Sequence, residues 1–243
     1  MIWRSLLRFL PFALLVGFLS FPQVAAPFFQ AVAGAGKPAL YDVSPLWWLT
    51  LLHLRLVLVS IGAASVTALL LAIWVTRPGH AQGLALARSV VSAAQTFPPV
   101  AVLALLVPVI GFGDGAVVVA LFLYGLLPVF ETALAELTRV SPSVLEAARG
   151  CGLTGFQRLV RVELALSLPG LVTGLRLSLV TGLGLGAIGS TVGSRTLGEV
   201  IVAGLLSGNA AFVLEGAVLI GLLALVVSGA MEGVGRWVGA GRR

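Results

Sequence analysis

Residues 146–170 read EAARGCGLTGFQRLVRVELALSLPG, a polar, arginine-bearing stretch between two long apolar ones. Its residues are ordered for two short helices. Ser141 stands at an N-cap position, Pro142 at the first helical position and Glu146 near the positive end of the helix dipole. Ala147 and Ala148 offer a slim, strongly helical surface that another protein can approach closely, and Gly150 and Gly152 suit a left-handed stop. Thr154 then caps a second piece, 155–164, whose Arg158 and Arg161 are expected to face water or headgroups. Leu168 and Pro169 lead back into apolar sequence.

Composition places that stretch outside a bilayer and most of the chain inside one. The 243 residues are 59% hydrophobic and 10% charged, with a mean hydropathy of +1.10, whereas a soluble domain carries about 25% charged residues. A hydrocarbon core about 30 Å thick takes roughly 20 apolar helical residues. Such runs are expected near 6–28, 56–76, 90–110, 116–134, 168–189 and 211–234. The fold class is therefore all-α, a polytopic transmembrane bundle of about six spans. The whole of 1–243 reads as one transmembrane domain, with an N-terminal span at 1–34, a core at 50–236 and a polar loop at 141–167.

The arginines orient it. Arg4, Arg8, Arg77, Arg88, Arg139, Arg149, Arg158, Arg161, Arg236, Arg242 and Arg243 fall on one side of this map, and only Lys37 and Arg195 lie in loops on the other. By the positive-inside rule both termini and the 141–167 loop are cytoplasmic in a cell inner membrane. A basic chain could instead bind nucleic acid, but these charges sit at span ends and form no continuous groove. The N-terminus admits two readings. Arg4, Arg8, an apolar run and Ala31-Val32-Ala33 before Gly34 resemble a cleaved secretory signal, while the length of the run favours a retained span. The Gly/Pro-rich loop 34–45 is then extracytoplasmic, and Trp47 and Trp48 mark the membrane interface.

Sites for chemistry on small molecules are sparse. Gly34-Ala35-Gly36-Lys37 is not a P-loop, because Ala31 stands where the first glycine is needed and Pro38 where Ser or Thr is needed. His53 and His80 have no Cys or carboxylate cluster at metal-ligand spacing, and neither has a context that would set it against Ser190 for hydrolysis. Cys151, the single cysteine, reads as a small apolar residue. No cofactor is expected on this chain.

Irregularities within the spans are more informative. Gln95-Thr96-Phe97-Pro98-Pro99 breaks the third span, since two prolines remove backbone donors and the freed carbonyls need partners in protein or a water-lined cavity. Gln95, Thr96, Pro98 and Pro99 are candidate pathway residues on that ground. Tyr124 (with Pro128 and Glu131) on the fourth span, and Arg176 and Thr181 on the fifth, join them because polar groups in a bilayer turn inward. For Arg176 and Glu131 the other reading is snorkelling to the cytoplasmic interface. Gly182, Gly186 and Ser190, with Gly189 and Gly193, form stripes for close helix contact.

The Glu146-Ala147-Ala148 triplet, Gly152 and the Leu168-Pro169 return together resemble the EAA loop of binding-protein-dependent ABC importer permeases. That resemblance implies a type I permease fold in which Glu146, Ala147, Ala148, Gly150 and Gly152 couple to a groove of a separate ATPase subunit. Residues 95–206, with QTFPPVAVLALLVPVIGFG, ALFLYGLLPVFE, EAARGCGLT, RVELALSLPGLVTGLRLSLVTGLGLGAIGS and LGEVIVAGL, look like the osmoprotectant branch, which carries glycine betaine, choline, carnitine and related quaternary amines. The pattern departs at Ala165, where the family has proline, which leaves Pro169 to set the start of the fifth span. The resemblance implies a cytoplasmic ABC ATPase dimer that binds the ATP, an extracytoplasmic solute-binding protein, and a second copy or a paralogous permease. This chain is then a transport subunit and no enzyme. Methionine or another amino acid is the rival cargo, and a non-transporting membrane scaffold the rival class.

Overall fold

A computed structural model describes residues 2–77, 79–93 and 95–240, with backbone alone for 2–8, 81, 82 and 240. Arg242 and Arg243, and the side chains of Arg4 and Arg8, thus lie outside the described part. All regular structure among the described residues is helical: α1 (Ile2–Ser20), α2 (Ala26–Ala33), α3 (Leu46–Val75), α4 (Ala81–Ala93), α5 (Pro99–Ile110), α6 (Asp114–Arg139), α7 (Pro142–Gly150), α8 (Gly155–Arg158), α9 (Leu164–Gly186), α10 (Gly198–Ser207) and α11 (Ala210–Ala240).

Among the described residues, four helical stretches are long and apolar enough to cross a membrane: α3, α6, Gly155–Val192 and α11. The other two expected spans take a different form. Phe9–Ser20 and Pro22–Ala33 meet at 104°, because Pro22 lacks the N–H that would continue the helix and Phe21 adopts φ −134°. The first apolar run is therefore a bent pair. The third is two short helices, α4 and α5, on either side of the double proline. The break was expected, but α4 starts well before residue 90 and neither helix reaches spanning length. The fifth span starts before Leu168, and Pro169 lies inside α9 without ending it.

The chain divides into two compact units. The unit of Met1–Ser60, Pro98–Leu121 and Leu179–Gly229 buries Leu49, Val57, Leu183, Leu197 and Leu219. His53, fully buried there, bonds the Leu183 carbonyl at 2.9 Å and accepts from the Leu197 amide at 3.3 Å, tying α3 to α9 and to the start of α10. In the unit of Ile61–Phe97, Phe122–Ser178 and Ala230–Arg243, Ala64, Ala68 and Ala72 form an i, i+4 stripe on α3. They share a core with Ala87 and Val91 of α4 and with Phe130, Ala133 and Leu137 of α6. Small side chains let helix backbones approach closely where no hydrophobic effect drives association. Gly174 works the same way, since a Cβ there would lie 2.8 Å from Thr132 Cβ.

Candidate functional site

The 141–163 segment builds its shape from local bonds. Helix α7 ends in a Schellman motif: the Leu153 amide donates to the Ala148 carbonyl at 3.1 Å, the Gly152 amide donates to the Arg149 carbonyl at 2.9 Å, and Gly152 takes φ +77°. Gly152 is thus the left-handed stop, whereas Gly150 is still helical. Thr154 and Gln157 then form a reciprocal capping box, at 3.3 Å and 3.0 Å, that starts α8. Ser141 occupies the N-cap position of α7, but its hydroxyl pairs with Ser143 Oγ at 2.6 Å and caps no amide. Glu146, Ala147, Gly150, Cys151 and Gly152 are exposed, and Ala148 is turned inward and buried.

Beyond α8 the helix widens into a π turn, Leu159–Glu163, a form frequent at functional sites. Glu163 is 5% exposed and holds two arginines. Arg77, just past the end of α3, donates to both its oxygens at 2.5 Å and 3.2 Å, and Arg158 Nε reaches it at 3.4 Å. Arg158 therefore turns in to a carboxylate and does not face water, because a buried carboxylate without partners costs more than a paired one. Arg161 is exposed as expected. The only sequence signal for this cluster was an acidic residue among basic ones, which spacing alone does not pair.

At the break in the third span, two residues picked out separately meet. Pro128 has no amide, so the Tyr124 carbonyl one turn earlier in α6 loses its helical donor. Gln95 Nε2 supplies one at 3.0 Å, and the Tyr124 hydroxyl in turn donates to the Phe97 carbonyl. Thr96 bonds back to the Ala93 carbonyl at 2.7 Å, and Pro98 and Pro99 start α5. Arg176 belongs to a different group. It pairs with Glu232 of α11 at 2.8 Å, beside Arg236 at 3.6 Å, while Glu131 pairs with Arg88 through two bonds of 3.0 Å and 3.1 Å. Thr181 is exposed on α9.

The 34–45 loop carries contacts that sequence reasoning missed. Lys37 Nζ donates to the Ser207 and Gly208 carbonyls at 3.0 Å and 2.6 Å, and Asn209 Nδ2 donates to the Pro38 carbonyl at 2.9 Å. Glu199 accepts from the Tyr41 hydroxyl at 2.7 Å, from Ser44 at 2.9 Å and from Arg195 at 3.4 Å. The Tyr41 amide donates to Glu215 at 2.8 Å. Desolvation and the bond to Glu199 push the Tyr41 phenol up to about 12. Desolvation also acts to raise Glu199, but the donors from Tyr41, Ser44 and Arg195 outweigh it and hold the carboxyl below its usual range.

Known proteins share this architecture. Residues 68–240 match the family of binding-protein-dependent transport system inner membrane components. The osmoprotectant import permease protein OsmY of Salmonella typhimurium is 35% identical over 76% of this chain and 78% of its own. The glycine betaine/carnitine/choline transport system permease protein OpuCD of Bacillus subtilis is 35% identical over 72% of this chain and 76% of its own. Among solved structures, an inward-facing form of the MetNI methionine ABC transporter superposes with a TM-score of 0.71 at 26% identity, covering 81% of this chain and 99% of that one. With this family match, relatives of this extent and a shared helical fold, the chain belongs to the binding-protein-dependent transport system inner membrane components, as a multi-pass membrane permease subunit of the ABC importer type.

Proposed function

We propose that this chain forms the translocation pathway of an ATP-driven importer for a small quaternary amine such as glycine betaine, carnitine or choline. The observation that carries the reading is the 35% identity to osmoprotectant and glycine betaine/carnitine/choline permeases over about three quarters of the chain. The methionine transporter is a more distant likeness at 26%. In this reading both termini and the 141–167 loop are cytoplasmic, and the 34–45 and 193–209 loops face outward. Glu146, Ala147, Gly150 and Gly152 dock on a separate ABC ATPase dimer that binds the ATP, with Ala148 anchoring the helix from beneath. An extracytoplasmic binding protein delivers solute to this chain and a second copy or paralogue. Gln95, Thr96, Pro98, Pro99, Tyr124, Arg176 and Thr181 border the pathway.

Uptake tests the cargo. Cells lacking this subunit, in a background without other betaine importers, are expected to lose uptake of labelled quaternary amines and to keep that of methionine. The reverse pattern would transfer the cargo to an amino acid. Orientation has its own test: a reporter after Arg243 is expected to be cytoplasmic and one within 193–209 extracytoplasmic, and reversed activities would overturn the map.

A further inference from the structure

Arg55 lies about 14 Å along α3 from Leu46 at 1.5 Å per residue, just ahead of the run expected to span at 56–76. His53 is buried and bonded to two backbone groups, which fixes the rotation of this turn. Arg55, two positions on and about 200° around the helix, consequently points outward with 68% of its side chain exposed. Its partner is Asp114 in the first turn of α6, 51% exposed and 3.5 Å away. Ser194 donates to the other oxygen of Asp114 at 2.6 Å and holds the carboxylate in place.

This pair differs from the Arg77 and Arg88 pairs. Arg77 and Arg88 each give two hydrogen bonds to one carboxylate. Arg55 makes a single ion contact and has no second partner among the described residues. Both residues stand just ahead of their expected spans, 56–76 and 116–134, at the membrane edge on the proposed extracytoplasmic side, so the exposed face of the pair meets water or another polypeptide and not lipid tails. An exposed pair is worth about 0–1 kcal/mol, so a ligand able to satisfy both ends separates it at little cost. Phe112, two residues before Asp114, is 79% exposed and adds an aromatic face of the kind that attracts quaternary ammonium groups.

We infer that Arg55 and Asp114 form a selectivity station for zwitterions, Arg55 taking the carboxylate of the solute and Asp114 its ammonium group. The inference rests on the quaternary-amine reading above and narrows it. A carboxylate-bearing solute such as glycine betaine replaces both partners, through the fork geometry of a guanidinium. Choline replaces only one and leaves Arg55 unpaired, which disfavours it.

The intact importer, with its ATPase and binding protein in proteoliposomes, provides the test through uptake rates of glycine betaine and choline at saturating binding protein. Arg55→Gln is expected to lower the betaine-to-choline ratio about tenfold, equivalent to roughly 1.4 kcal/mol, while Asp114→Asn slows both solutes. An equal fall for both solutes with Arg55→Gln, or an unchanged ratio, overturns the station and leaves the cargo reading standing. A wild-type importer that carries neither solute overturns the cargo reading itself. Should the glutamine variant fail to assemble with the ATPase, Arg55→Lys decides. It keeps the charge but loses the fork, so the ratio is expected to drop about threefold, and no drop overturns the station.

Discussion

The 141–163 segment and the 34–45 loop are both polar stretches between apolar helices, and they satisfy their polar groups in opposite ways. In the first, the Schellman stop and the capping box join residues at most five apart, with one ionic tie from Glu163 to Arg77. In the second, Lys37, Tyr41 and Ser44 bond to partners 155 to 174 residues away. A locally closed segment keeps its shape whatever its surroundings do and leaves its outer face free. That is what a rigid docking piece requires. A loop tied mainly at long range takes its order from the helices that hold it, so its loosening reports movement of α10 and α11.

The largest expected effect comes from destroying the local closure. Gly152→Val forces a β-branched residue to φ +77°, a conformation that costs about 1–3 kcal/mol, and it disrupts both Schellman bonds. Normal membrane insertion is expected, with loss of substrate transport and of substrate-stimulated ATP hydrolysis. Gly152→Asn, which tolerates that conformation, is expected to keep most of both. Transport at the wild-type rate by the valine variant would remove the docking role from this turn.

The single long tie of the same segment is the next test. Glu163→Gln leaves Arg77 and Arg158 against a neutral amide, and losing one partner of a buried ionic cluster costs about 3 kcal/mol. Thermal unfolding of the detergent-solubilised chain should show this as a marked fall in Tm. The double variant Glu163→Gln, Arg77→Gln is expected to recover part of the loss, because one of the two stranded charges is gone. A double variant no better than the single one would mean that packing around the π turn, and not charge, holds the segment down.

What could be read from residues alone follows the same division. Thr154, Gly152 and Pro142 were legible because each acts on backbone groups within a few residues of itself. The double proline announced a broken third span for the same reason. It could not reveal that Gln95 would fill the carbonyl vacated by Pro128, since Gln95 lies in the break between α4 and α5 and Pro128 on α6. Arg158 looked solvent-facing because nothing near it foretold the burial of Glu163. The first apolar run had the length of a span, and only the backbone at Phe21 and Pro22 shows the bend. The 34–45 loop had no local pattern, and its ties to Glu199, Ser207 and Glu215 were invisible until the fold brought those residues near.

Its pH response sharpens the contrast most gently. Tyr41 has a raised folded value near 12, so its contribution to stability is complete below the ordinary phenol value and is lost as pH rises through about 12. Glu199 has a depressed folded value, so its contribution is present above the ordinary carboxylate range and is lost as pH falls through that depressed value. Protection factors of amides in the 34–45 loop, relative to intrinsic exchange at each pH, are therefore expected to fall on acidification below the carboxylate range, while the 142–158 caps, built from neutral groups, keep theirs. Tyr41→Phe removes one hydrogen bond of about 1 kcal/mol. That corresponds to roughly fivefold faster exchange in the loop at neutral pH, with no change in the caps. Equal quickening in both regions would mean that they open together and that the division between local and distant closure is not a division in stability. Unchanged exchange in the loop would place its anchorage on Lys37 and Asn209, whose bonds to backbone carbonyls do not depend on Glu199.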